Sequence, residues 1–348
     1  MKSHTTRACI ACSLLLLSVA SGAEISAAET EGVPPEHVLH LTQQAAGLKP
    51  PVITAVCLQP HGRLLATAGD DHMVRIWDRQ SGSLLRQIGG HDDWIRTAAI
   101  SPDGRYLATA GMDRQIVICD LHSESRPRLL GHTSDAVWCV TFSPDGRHLA
   151  VAGFCHHVDI LNVSTGQTVQ RLKNPHCDMR TIAYTPDGKR LLAGGRNGRV
   201  RSWSTVDGSP LQDWIAHERR VWSLLVDRQG ERVFSAGEDG RVRCWDAQTA
   251  KLLFELPREP AIVMAIAMVS DSVLATAGSN NSVRLWDLDS LRQIGSLTGH
   301  TGSVASLASS DGHLASGSYD TTVRVWDLSD VYGHANAERR DSQTTDSR

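Results

Sequence analysis

Histidine, serine and aspartate recur together in this chain, and in one arrangement these three side chains hydrolyse esters and amides. Two complete sets occur, each followed by a tryptophan: His217, Ser235, Asp239 and Trp245, and His300, Ser316, Asp320 and Trp326. A nucleophilic serine often lies in a G-x-S-x-G sequence, which the chain lacks. Because the sets repeat along the chain and that sequence is missing, we predict that no residue is catalytic and that the protein is not an enzyme.

Cysteine and histidine also cluster, in the types that bind zinc. The members of this cluster are Cys155, His156, His157, His176 and Cys177. Their spacing matches no standard zinc pattern, and His157 belongs to an alternating, strand-like segment. We therefore predict no metal site, and whether Cys155 and Cys177 form a disulfide stays open. The motifs for metalloprotease zinc, nucleotide phosphate and dinucleotide binding are missing from the sequence, so no cofactor is predicted.

The composition and the first residues bear on partners and location. The formal net charge of −3 over 348 residues disfavours nucleic acid as the main partner, because phosphate binding requires a basic surface. Lys2 and Arg7 precede a mostly apolar run over 8–20, followed by small residues. This pattern predicts a signal peptide over 1–23 and export, either periplasmic or secreted. A leader retained as an anchor is the alternative; no other segment is long and apolar enough to span a membrane.

Seven units repeat between residues 36 and 328, at intervals of 40 to 42 residues. Each unit ends in a related dipeptide: Trp77-Asp78, Cys119-Asp120, Leu161-Asn162, Trp203-Ser204, Trp245-Asp246, Trp286-Asp287 and Trp326-Asp327. Within the last unit, Asp311-Gly312 and Tyr319-Asp320 separate three apolar-alternating runs. Asp and Gly tolerate the positive φ that tight hairpin turns require, so the runs are predicted to be antiparallel strands.

The last unit opens with Gly299-His300 and closes with Trp326-Asp327, and this bracketing resembles the WD-repeat (WD40) β-propeller family. The resemblance implies an all-β fold with seven four-stranded blades over residues 36–328. It also implies that a strand at about 36–42 completes the last blade and closes the ring. Residues 24–35 are predicted to be a linker and 329–348 a disordered polar tail.

The resemblance also gives roles to the polar sets. In this family the histidine, a hydroxyl residue, the aspartate and the tryptophan form a buried hydrogen-bonded tetrad. Carried over to this chain, the two complete tetrads are the sets of His217 and His300 named above. Their role is then structural, since each buried polar group has a partner.

Partners in this family usually contact the rim formed by the loops between blades and the turns between second and third strands. The positions that point there are Trp94, Arg96, Met112, Trp138, Phe154, Arg180, Arg196, Arg220, Trp222 and Tyr319. Tryptophan and arginine dominate the energetics of protein interfaces. We therefore expect a monomeric scaffold that binds a protein or peptide combining an acidic group with an apolar anchor. Two alternatives stay open. The first is an exported propeller that binds or processes a small anionic ligand at the mouth of its central channel, near Arg96, Arg180 and Arg196; the second gives Trp138 and Trp222 core positions.

Overall fold

The computed structural model describes residues 34–41, 50–174 and 178–329, which form seven four-stranded antiparallel sheets. Each sheet is one blade, numbered in chain order. The first strand of blades 1 to 6 lies innermost, whereas blade 7 also includes the first strand of the described chain at its outer edge. The strands of blades 1 to 4 are β2 (Ile53–Leu58), β3 (Leu64–Gly69), β4 (Val74–Asp78), β5 (Leu84–Ile88), β6 (Ile95–Ile100), β7 (Tyr106–Gly111), β8 (Gln115–Asp120), β9 (Arg128–His132), β10 (Val137–Phe142), β11 (His148–Gly153), β12 (His157–Asn162), β13 (Thr168–Lys173), β14 (Met179–Tyr184), β15 (Arg190–Gly195), β16 (Arg199–Ser204) and β17 (Pro210–Ile215).

Blades 5 to 7 continue the series, and the first strand of the described chain belongs to the last blade. These strands are β18 (Val221–Val226), β19 (Arg232–Gly237), β20 (Val242–Asp246), β21 (Leu252–Glu255), β22 (Val263–Ser270), β23 (Val273–Gly278), β24 (Val283–Asp287), β25 (Arg292–Leu297), β26 (Val304–Ser310), β27 (His313–Ser318), β28 (Thr322–Asp327) and β1 (His37–His40). The inner strands of adjacent blades contact each other around the whole ring. The predicted all-β, seven-bladed architecture is confirmed.

The hydrophobic core lies between adjacent blades. The second strand of each blade is buried along nearly its whole length, as in β3, because a neighbouring blade covers each face of its sheet. Most of the large exposed apolar side chains lie on outer strands, such as Leu84 and Leu85 of β5. Burial is therefore greatest along the second strand of each blade and least along the outer strand.

The turns between first and second strands fit their sequences closely. Gly104, Gly146, Gly188 and Gly230 all have positive φ, a conformation that glycine adopts more readily than other residues. In blade 1 the left-handed residue is His61 (φ 50°), one position earlier than the pattern predicts. Blade 7 uses a two-residue hairpin turn in which both Asp311 and Gly312 have positive φ, the conformation of a type I′ turn.

Pairing of β1 with β28 closes the ring. The register joins His37 to Val325 and His40 to Thr322, so the free edge of β28 is covered, and the predicted closure is confirmed. Leu39 and Leu41 pack into a cluster shared by blades 7 and 1. The predicted signal peptide, most of the linker and all but the first residue of the predicted tail lie outside the described residues, as do His176 and Cys177.

Candidate protein-binding surface

The two predicted tetrads are hydrogen-bonded networks at the interior of blades 5 and 7. His217 Nδ1 lies 2.8 Å from Asp239 Oδ1, its Nε2 lies 2.8 Å from Ser235 Oγ, and Trp245 Nε1 donates to Ser235 Oγ at 2.9 Å. The set of His300, Ser316, Asp320 and Trp326 repeats this geometry at 2.8, 2.8 and 3.2 Å. Both serines are fully buried, so a substrate has no route to either hydroxyl.

The tetrad carboxylates stay charged because hydrogen bonds outweigh the cost of burial. Burial raises the pKa of Asp239, but bonds from His217 and the Arg241 backbone and the charges of His217 and Arg243 lower it to about 2. Burial likewise raises the pKa of Asp320, and bonds from Thr322, the Thr301 backbone and His300 bring it to about 2. Each carboxylate therefore holds its partners as an anion throughout the neutral range.

Acid is expected to destabilise the protein through these two aspartates. Because their folded-state pKa lies below the ordinary value of 3.8, the stability they supply is present above about pH 4 and is lost as the pH falls through 2. The shift corresponds to about 2 kcal/mol for each aspartate. Urea unfolding midpoints measured at pH 7 and pH 3 test this. Asp239→Asn should show a smaller loss between the two pH values than the wild type, and an equal loss would contradict the assignment.

Blade 6 contains a buried network that the sequence patterns missed. Glu259 occupies the histidine position: Thr276 Oγ1 donates to its Oε1 at 2.7 Å, while Asn280 Nδ2 and Arg284 Nη1 donate to its Oε2 at 3.2 and 2.8 Å. Trp286 Nε1 in turn donates to Thr276 Oγ1 at 3.0 Å. A positional signal was available. Like His217 and His300, Glu259 lies four residues before the first buried residue of its inner strand.

The remaining blades keep only part of the network. In blade 2, His91 contacts Asp113 at 2.7 Å and Thr109 at 2.9 Å, but Cys119 replaces the tryptophan. Blade 1 keeps the bond from Trp77 Nε1 to Thr67 Oγ1. Blade 3 has apolar Val151 and Leu161 at the hydroxyl and tryptophan positions, and His132 is exposed. In blade 4, Trp203 Nε1 donates to the Lys173 carbonyl at 3.2 Å instead of a hydroxyl.

Several of the predicted rim residues of blades 2 to 5 occupy the same backbone feature, a β-bulge near the start of the inner strand. In every blade the register of the inner strand shifts by one residue near its start, which leaves one residue unpaired in a β-bulge. The seven bulge residues are Thr54, Arg96, Trp138, Arg180, Trp222, Met264 and Ala305. A bulge redirects its side chain and is often found beside functional sites. In blade 2 the facing residue must be glycine, because a Cβ on Gly111 would lie 2.0 Å from the Trp94 carbonyl oxygen.

Four of these bulge residues, with one further residue at each end, form a continuous stack of alternating rings and guanidinium groups. In order, the stack is Trp94, Arg96, Trp138, Arg180, Trp222 and Arg220, and we call it the Arg–Trp ladder. The guanidinium carbon of Arg96 lies 4.7 Å from the Trp94 ring and 4.8 Å from the Trp138 ring. That of Arg180 lies 3.6 Å from Trp138 and 5.7 Å from Trp222, and that of Arg220 lies 5.1 Å from Trp222. Cation–π contacts of this kind fix both partners in place.

The other predicted rim residues lie beside the ladder or apart from it. Phe154 meets Trp138 edge to face at 5.8 Å, and Met112 is half-buried. Tyr319 is 42% exposed. Arg196 is exposed and, unlike Arg96 and Arg180, stacks on none of the described rings. Trp138 and Trp222 are half-buried with their faces against arginine.

The ladder carries unbalanced positive charge. Burial lowers the pKa of Arg180, and its pair with Asp178 (2.5 Å) opposes that shift, while Arg220 and Arg96 lower the pKa further. Arg220 has Glu238 at 3.7 Å. The Nε atoms of Arg96 and Arg220 and the indole N–H of Trp222 are buried without a hydrogen-bond partner among the described residues. The ladder thus contains donors and positive charge that the described residues do not fully pair.

The remaining candidate features in the part of the chain that is described are a metal site, a Cys155 disulfide and a membrane span. No group of three or more His, Cys, Asp or Glu residues there is arranged to hold a metal ion. Cys155 is a buried free thiol 3.5 Å from the Ser134 hydroxyl. Its suggested partners His176 and Cys177 fall in the undescribed gap at 175–177. In the described residues there is also no helix with the length and apolar character needed to cross a membrane.

Seven blades around a ring, with buried tetrads and a bulge-directed rim, define a seven-bladed β-propeller. The chain belongs to the WD-repeat (WD40) family. The family model described as "WD domain, G-beta repeat" matches seven times, at residues 43–78, 82–120, 124–159, 166–204, 208–246, 251–287 and 291–327. These matches cover one repeat for each predicted unit.

Similar proteins are matched only over short stretches. Nuclear distribution protein PAC1 of Coprinopsis cinerea is 44% identical over 39 residues, which is 11% of this chain and 9% of that protein. PAC1 of Cryptococcus neoformans is 41% identical over 54 residues, covering 16% and 12%. Mitochondrial division protein 1 of Neurospora crassa is 42% identical over 60 residues, covering 17% and 9%. The matched stretch thus spans about a tenth of each relative.

These relatives correct the predicted location. They are named for nuclear distribution and mitochondrial division, which are processes inside the cell. The prediction of an exported protein, periplasmic or secreted, is therefore wrong. The basic and apolar residues at 1–23 that suggested it lie outside the described residues. A short apolar run after two basic residues is a weak pattern, and it outweighed the rest of the sequence in that prediction.

Proposed function

We propose that this chain is a non-enzymatic scaffold that binds a protein partner through the Arg–Trp ladder. The observation that carries the proposal is the uninterrupted stack of three tryptophans and three arginines along the rim of blades 2 to 5. Tryptophan and arginine are the residue types whose loss most often abolishes binding at interfaces. Their concentration on one sector of the ring makes that sector the best candidate for a partner.

The ladder also suits binding because its side chains are already ordered. Each guanidinium group contacts at least one ring, so these long side chains lose little further freedom when a partner arrives. Trp94 at one end remains 44% exposed and offers apolar area. The equivalent positions in blades 6 and 7 carry smaller residues, among them Ser303 and Ala305. We therefore assign partner contact to the blade 2 to 5 side.

The relatives support the class of function and not its detail. Their names connect WD-repeat proteins with nuclear distribution and mitochondrial division, but this chain covers only about a tenth of each. The identity of the partner is therefore left to experiment.

A capture experiment with a matched control tests the scaffold proposal. The wild type, the ladder variant Trp94→Ala/Trp138→Ala and the control Leu84→Ala/Leu85→Ala are each used to capture proteins from an extract of the source cells. The control removes two exposed leucines (46% and 52%) on an outer strand. We expect a partner that the wild type and the control retain and the ladder variant loses by about tenfold or more. Equal recovery by all three proteins would contradict the proposal.

A further inference from the structure

Arg96 is the one ladder arginine without a carboxylate at ion-pair distance among the described residues. Arg180 has Asp178 at 2.5 Å, and Arg220 has Glu238 at 3.7 Å. The guanidinium group of Arg96 is instead held between two indole rings, and its Nε is buried without a hydrogen-bond partner. The three ladder arginines are therefore not equivalent: two are neutralised within the chain, and one is not.

The surroundings of Arg96 keep it both desolvated and charged. Burial lowers the pKa of Arg96, while Tyr319, Asp93 and Asp70 raise it from longer range without forming a pair. A half-buried cation without a partner has lost part of its hydration, and an incoming carboxylate recovers part of that cost. The planar guanidinium group can also donate two parallel hydrogen bonds to a carboxylate, a geometry that lysine lacks.

Resting on the function proposed above, we infer that Arg96 receives a carboxylate side chain of the protein partner, with a neighbouring apolar side chain packed on Trp94. The partner segment is thus acidic, with an Asp or Glu next to an apolar residue. Arg180 acts as a positioning residue. Its pair with Asp178 fixes its guanidinium group 3.6 Å from the Trp138 ring, and that same ring bounds the Arg96 site.

Arg196 provides a matched control for charge alone. It was predicted for the same rim, but it is exposed and lies over none of the described rings. Its charge is therefore screened by solvent, and its loss should alter binding only slightly. Arg96→Gln and Arg196→Gln each remove one positive charge from the same end of the molecule, so a difference between them reports the local site.

The test selects peptides from a random dodecapeptide library on the full-length wild-type protein. We expect the selected peptides to carry Asp or Glu beside an apolar residue and to depend on Trp138. With one selected peptide as the probe, Arg96→Gln should weaken binding about thirtyfold or more, Arg96→Lys about tenfold, and Arg196→Gln less than about twofold. Changing the acidic residue of the peptide to its amide should weaken binding to the wild type but hardly further weaken binding to Arg96→Gln.

The outcomes separate this inference from the proposed function. Two results would overturn the role of Arg96 and leave the ladder as a binding surface. In the first, the selected peptides depend on Trp138 but show no preference for acidic residues. In the second, they bind Arg96→Gln and Arg196→Gln equally well. The role of Arg96 would also be overturned if Arg96→Gln and the acid-to-amide change in the peptide had additive effects on the binding free energy. If Trp138→Ala binds every selected peptide as the wild type does, both the inference and the proposed function fail.

Discussion

Replacing Leu39 and Leu41 with aspartate is expected to lower the free energy of unfolding by about 4 kcal/mol or more. Both leucines are buried, at 6% and 2% exposure, in the cluster where blade 7 meets blade 1. The substitution places two charges where the described structure offers them no partner and separates β1 from β28. Denaturant unfolding followed by tryptophan fluorescence measures the loss.

Val38→Asp is the matched control for that prediction. Val38 immediately precedes Leu39 in β1 but is 37% exposed, so its substitution should change the free energy of unfolding by no more than about 0.5 kcal/mol. If the double variant does not fold at all, Leu39→Ala alone should still cost about 2 kcal/mol or more. Equal stability of the leucine and valine variants would show that ring closure contributes nothing.

Glu259→Ala is expected to cost about 3 kcal/mol, which is the second large effect. The substitution leaves the buried hydroxyl of Thr276 without its acceptor and the guanidinium group of Arg284 without its carboxylate. Thermal or urea unfolding of the purified variant measures the loss.

A double substitution tests whether Glu259 truly occupies the tetrad position. Glu259→His combined with Asn280→Asp would recreate the histidine–aspartate pair of blades 5 and 7, and we expect it to recover most of the stability lost in Glu259→Ala. Glu259→His alone should recover less, because Arg284 then lacks a nearby carboxylate. Recovery that is no better in the double variant than in the single one would refute the equivalence of the positions.

The fold was accessible from the sequence because its signals are local and repeated. Closing dipeptides such as Trp245-Asp246 and Trp286-Asp287 mark the end of each third strand, and the turn glycines mark the first hairpin. Ring closure was implied by the resemblance to the family, and the missing outer strand of the last unit agreed with it. The one-residue shift of the turn at His61 was not visible, because a Pro-x-Gly sequence does not specify which residue takes the left-handed conformation.

The candidate site was accessible only as a set of residue types. The family resemblance assigned the six ladder residues to the rim but not their stacking order, because that order depends on a bulge repeated in adjacent blades. The sequence also did not show that Arg180 has a carboxylate partner whereas Arg96 has none among the described residues. This difference depends on whether a carboxylate lies within reach in three dimensions, and both arginines have an aspartate nearby in sequence: Asp93 for Arg96, and Asp178 for Arg180.

Glu259 shows a different limit of prediction from the sequence. The tetrad pattern specifies a histidine after glycine, whereas the position requires only a buried side chain that accepts a hydrogen bond from a hydroxyl. In blade 6 a carboxylate meets that requirement, and Arg284 neutralises its charge at 2.8 Å. The geometry of the position is thus retained while its chemistry changes.

The antiparallel pairing of β1 with β28 also determines how the ring responds to mechanical force. His37, at the start of β1, pairs with Val325, near the end of β28, and the Glu36 amide donates to the Val325 carbonyl at 2.8 Å. The chain therefore enters and leaves the propeller at neighbouring points. Tension between the preceding and following segments loads these hydrogen bonds one after another, beginning at Glu36, and does not load the whole strand at once. We therefore expect β1 to separate from β28 one hydrogen bond at a time under such tension.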